Sequence, residues 1–69
     1  MEIIHLREDF IKLGQALKAA GLTGSGVDAK FVIQDGQVRV NGQVEVQRGK
    51  KLVAGDVVEY AGEIIKIES

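Results

Sequence analysis

The side chains that could do chemistry in this 69-residue chain are mostly cations. His5 is the one histidine and there is no cysteine. Disulfides, thiolate zinc sites and cysteine nucleophiles are therefore excluded, and neither a convincing catalytic triad nor a transition-metal cluster can be assembled. His5 lies in a short β-branched run, where a structural role is expected. The carboxylates are scattered and show no calcium-loop pattern. Gly24-Ser25-Gly26 opens a helical pattern, but it follows a helix and lacks the Lys-Ser/Thr ending of a P-loop, so it is no ATP site. The expectation is a non-enzyme with no metal and no cofactor.

What remains is anion chemistry. A helix N-terminus exposes unpaired N–H groups and a partial positive charge. At Gly24, Ser25 and Gly26 the glycines permit close backbone approach, Ser25 adds a hydroxyl, and Lys30 adds a full charge about one turn on. That set suits a phosphate oxygen, although a plain N-cap explains the same residues. Other cations surround it in sequence: Lys12 and Lys18 before it, then Arg39, Arg48, Lys50 and Lys51. Between residues 10 and 51 seven cations face three carboxylates, whereas residues 1–9 and 52–69 are both net acidic. The formal net charge of -1 thus conceals a basic centre, and local field rather than net charge governs polyanion binding. Tyr60, Phe10 and Phe31 are the only aromatics, which disfavours stacking of single-stranded bases.

These side chains must be held by a small scaffold. At 45% hydrophobic and 28% charged residues the composition is that of a folded unit, taken as one domain over residues 1–69 with its core at about 10–60. No apolar run is long enough for a membrane-spanning helix, and no membrane partner is expected. Residues 2–6 read as a strand. Phe10, Leu13, Leu17 and Ala20 recur at helical spacing with Asp9 as N-cap and Gly21 as C-cap, predicting a helix over 10–20. A second helix is predicted from near Val27 to Asp35-Gly36, capped by Ser25 and Asp28, with Ala29, Val32 and Ile33 as its apolar face. After Gly36 the period becomes two. Asn41-Gly42 is a strong hairpin signal between Val38–Val40 and Val44–Val46, because both turn positions take positive φ. Arg48-Gly49-Lys50-Lys51 reads as a basic turn, followed by strands at Val57–Tyr60 and Ile64–Ile67. The class is α+β: two packed helices and a small antiparallel or mixed sheet of about five short strands.

In this arrangement the sequence resembles the S4 RNA-binding domain. Gly36-Gln37-Val38-Arg39-Val40-Asn41-Gly42 and Gly55-Asp56-Val57-Val58-Glu59 stand almost as that family writes them. Leu13, Leu17, Gly21 and Leu22 fit its first helix, and Ala29-Lys30 its second. Ser25-Gly26 and Arg48-Gly49-Lys50-Lys51 resemble the small stand-alone bacterial form, the YbcJ/YaaA type. Where the family has Arg-Leu-Asp-Lys in the first helix, this chain has Lys12-Leu13-Gly14-Gln15. The resemblance implies the S4-like αL fold. It also implies binding to structured RNA, ribosomal or transfer RNA. A monomer in the cytoplasm is expected, which the absence of cysteine fits, with ribosomal particles among its partners.

RNA helices present phosphates across a wide minor groove and are read largely by shape. The expected contacts are Gly24, Ser25, Gly26 and Lys30 on one phosphate, with Arg39, Arg48, Lys50 and Lys51 on others and Lys12 and Lys18 at the margin. Arg39 is expected to point outward, because Val38 and Val40 point in. Two other readings stay open: a protein-interaction module of the same fold without RNA binding, and a small β-grasp protein. The latter is disfavoured because Ile67-Glu68-Ser69 stands where a sulfur carrier has Gly-Gly.

Overall fold

Leu13, Ala16 and Leu17 recur on one stripe of a helix, Ala29 and Ile33 on another, and Val38, Val40, Val58, Ile65 and Ile67 alternate along strands. In a computed structural model describing residues 1–69, these side chains and Leu52 form one core, none more than 7% exposed. Each large side chain buried there is worth about 1.5–3 kcal/mol. Ile65 and Ile67 carry the core past residue 60.

The chain runs β1 (Glu2–His5), β2 (Ile11–Lys12), α1 (Leu13–Ala19), α2 (Gly26–Gln34), β3 (Val38–Val40), β4 (Gln43–Val44), β5 (Lys51–Leu52), β6 (Val57–Tyr60) and β7 (Glu63–Glu68). Five strands make a mixed sheet in the order β1-β7-β6-β3-β4, and β2 pairs with β5 in a separate ribbon. Within the sheet β1 runs parallel to β7, with Ile4 beside Ile67, while the other pairs are antiparallel. The helices supply Leu13, Leu17 and Ile33 to the core that the sheet closes.

Two sequence expectations shift. The first helix begins at Leu13 rather than Phe10, with Lys12 as N-cap in extended conformation (φ -76°, ψ 146°). Ile11 and Lys12 are drawn instead into a ladder with Leu52 and Lys51, a tertiary pairing that overrides local helical periodicity. The return strand of the first hairpin ends at Val44, and both Val44 and Val46 are exposed. There the chain leaves the sheet for the turn that docks on α1.

The two stretches that carry the family resemblance meet in space. Asn41 (φ 53°) and Gly42 (φ 82°) form the tight turn. Asn41 Nδ2 donates to Asp56 Oδ1 at 3.0 Å, and Asn41 Oδ1 accepts from the Val57 N–H at 2.9 Å. The Val53 N–H donates to Asp56 Oδ2 at 2.9 Å. One amide and one carboxylate thus fasten the β3–β4 turn to the start of β6.

Candidate nucleic-acid interface

The first amides of a helix have no partner inside it. In α1 the basic turn closes them: the Leu13 N–H donates to the Lys50 carbonyl at 2.8 Å and the Gly14 N–H to the Arg48 carbonyl at 3.1 Å. The turn itself is held by the Lys50 N–H on the Gln47 carbonyl at 3.2 Å. These bonds carry Arg48, Gly49 and Lys50 onto the first turn of α1.

A groove of about 390 Å³ results, lined by Lys12, Gly14, Gln15, Lys18, Gly26, Arg48 and Gly49. Gly14 and Lys18 are one helical turn apart on the same face. Gln15 accepts from the Lys12 N–H at 3.3 Å, fixing the N-cap at the groove edge. Three cations line this groove, with no carboxylate and no apolar residue among its walls. The nearby hollow beside β1 is different, being walled by Ile4, Leu6, Phe10 and Ile11 among others and sharing only Gln15 with the groove.

Lys51 is the direct partner of Lys12 across the β2–β5 ladder, and its Nζ lies 4.8 Å from the centroid of the Phe10 ring. A cation over an aromatic face is attracted by the ring quadrupole, so Phe10, which lines the neighbouring hollow, holds this ammonium. Lys50 is exposed in the turn.

The α2 terminus reaches the groove through Gly26, and Lys30 follows one turn later, exposed. Ser25 is the N-cap, its Oγ accepting from the Asp28 N–H at 3.2 Å. Asp28 already places a carboxylate in that first turn, where the helix dipole favours negative charge. Ser25 therefore has a complete structural role as a cap, and a phosphate there competes with Asp28.

Arg39 stands apart from the other cations. It does face outward, but on the side of the sheet away from the helices, because Val38 and Val40 on either side are buried in the core. Its cross-strand partners are Glu59 and Val44, and the shallow hollow around it, which includes Glu59 and Glu63, shares no residue with the basic groove. The seven central cations are thus not gathered on one face: Lys12, Lys18 and Arg48 converge, Lys50 and Lys51 flank them, Lys30 is one turn from Gly26, and Arg39 belongs to the opposite layer.

Gly14, Gln15 and Gly49 line the groove without having been read as site residues. The available signal was the Lys12-Leu13-Gly14-Gln15 departure: a glycine inside a helical pattern marks a close approach by another group.

A family model described as "S4 domain" matches residues 4–68. The putative RNA-binding protein YbcJ of Escherichia coli K12 is 40% identical over 57 residues, covering 83% of this chain and 81% of that protein. The probable ribosome maturation protein RlbA of Bacillus subtilis is 42% identical over 59 residues, covering 86% and 83%. The solution structure of YbcJ, described as revealing an αL motif involved in RNA-binding, superposes with a TM-score of 0.76 at 36% identity, over all of this chain and 89% of that one. With nearly its whole length matched, in the order of helices and strands described above, this chain belongs to the S4 domain family.

Proposed function

We propose that this protein binds structured RNA without chemical turnover, taking phosphates of a helical segment into the groove between α1 and the 47–50 turn. The observation that carries this reading is the groove itself: Lys12, Lys18 and Arg48 converge with no carboxylate among its walls. Lys50 and Lys51 extend the positive edge, and Lys30 lies toward the α2 side. Gly24, Ser25 and Gly26 are a secondary contact, and Arg39 is assigned none in this groove. The names of YbcJ and of its solution structure support RNA as the ligand, and that of RlbA, a probable ribosome maturation protein, supports a ribosomal setting for it. The setting is then the cytoplasm, where ribosomes mature, and one copy of the chain suffices for the groove.

The test is binding to a fluorescently labelled ribosomal-RNA hairpin at fixed salt. Three charge-assisted phosphate contacts, each worth about 1.5–3 kcal/mol, predict that the K12E/K18E/R48E variant loses at least about 100-fold in affinity. Arg39→Glu should bind within about twofold of the unsubstituted protein, since Arg39 faces the other side of the sheet and lines no part of the groove. Equal binding by the triple variant would overturn the assignment, and loss confined to Arg39→Glu would move the interface to the outer sheet face.

A further inference from the structure

Gly14 is buried although it has no side chain to bury. What covers it is Arg48. A Cβ built on Gly14 would lie 2.7 Å from Arg48 Cγ and 3.3 Å from Arg48 Cδ, with the Arg48 carbonyl carbon's oxygen at an ordinary 3.7 Å. The aliphatic stem of Arg48 therefore lies directly on the α1 backbone, in space that any other residue at position 14 would fill. Real Cβ atoms do not approach a neighbour at 2.7 Å, and the obstructing atoms lie near the root of the arginine. Moving them means moving the whole side chain to another rotamer.

The backbone is fastened at the same point, since the Gly14 N–H donates to the Arg48 carbonyl. Glycine is a poor choice inside a helix, and α1 has only seven residues. Positive φ does not explain it, because Gly14 is absent from the glycines in that region. The remaining reason for a glycine here is the space it leaves.

We propose that Gly14 is a positioning residue for RNA binding. By leaving its space empty, it lets the Arg48 stem lie across the first turn of α1 and delivers the guanidinium into the groove beside Lys12 and Lys18. This rests on the groove being the RNA site. The mechanism is pre-organisation: a packed stem has already lost the rotamer freedom that a free arginine loses on binding.

A double-mutant cycle on the full chain with the labelled RNA hairpin tests it. Arg48→Ala should weaken binding about tenfold and lower the log–log salt slope by about one, the effect of one lost phosphate contact. Gly14→Ala should do the same although it removes no charge, and a merely structural glycine would not change the slope. In the Arg48→Ala background Cγ and Cδ are gone, so Gly14→Ala should cost no further affinity and should raise Tm, as replacing glycine by alanine in a helix normally does. Gly14→Ala binding like the unsubstituted protein while Arg48→Ala is weakened would overturn the positioning role and leave the groove standing. Losses that multiply in the double variant, or a double variant that fails to fold, would also overturn it. Arg48→Ala binding with full affinity and slope would overturn both this inference and the groove assignment.

Discussion

Lys12 and Lys51 oppose each other across a two-residue ladder, an arrangement that costs stability because like charges directly opposite repel. Lys51 is compensated by the Phe10 ring, whereas Lys12 borders the groove. Lys12→Glu should accordingly raise stability by about 0.2–1 kcal/mol in urea denaturation while weakening binding to the RNA hairpin, two changes of opposite sign. Thr23 offers a purely structural counterpart. Its hydroxyl is buried without a hydrogen-bond partner, and such a group costs about 1–3 kcal/mol. Thr23→Val should stabilise by about 1 kcal/mol and leave RNA affinity unchanged. Arg39 marks the limit of single-residue legibility. Alternation with Val38 and Val40 correctly points it away from the core, but the helices cover only one side of the sheet. Whether outward means toward the groove or away from it is decided by that layering, which period-two patterning does not encode.

The elements most readable in sequence are those stabilised locally. Asn41-Gly42 takes the two positive φ values its residue types favour, and Ser25 caps α2 through the Asp28 N–H. Less legible are features that depend on distant partners. The start of α1 is displaced to Leu13 because Ile11 and Lys12 pair with Leu52 and Lys51, and the parallel pairing of β1 with β7 joins the two ends of the chain. The Asn41–Asp56 contact lies between. Both residues were visible as parts of a signature, and the structure shows that they fasten a turn to a strand. Asp56→Ala, which frees the Asn41 amide and the Val53 N–H, should destabilise by about 1–2 kcal/mol, with the folded fraction retaining RNA affinity. The second hairpin has Ala61 at φ 53° ahead of Gly62, where an L-residue with a Cβ pays about 1 kcal/mol. Ala61→Asn recreates the Asn-Gly pair and should raise stability by about 0.5–1 kcal/mol in thermal melts.

Across the whole molecule the charges are arranged so that the sum misleads. The formal charge is -1, yet the extents of 28 × 22 × 19 Å exceed the Debye length of about 8 Å at physiological salt. A polyanion at the groove therefore responds to Lys12, Lys18 and Arg48 and little to distant carboxylates. The sequence showed the basic centre and acidic ends but placed too many cations together, because the sheet divides Arg39 from the rest. The most direct measurement is the salt dependence of affinity for the RNA hairpin, taken with K12E/K18E/R48E alongside. Three to five phosphates engaged predict a log–log slope of about -3 to -4.5 for the native chain and one shallower by about three for the variant, which has lost three of the contacts. A native slope near zero, or the same slope in both proteins, would contradict phosphate capture in this groove.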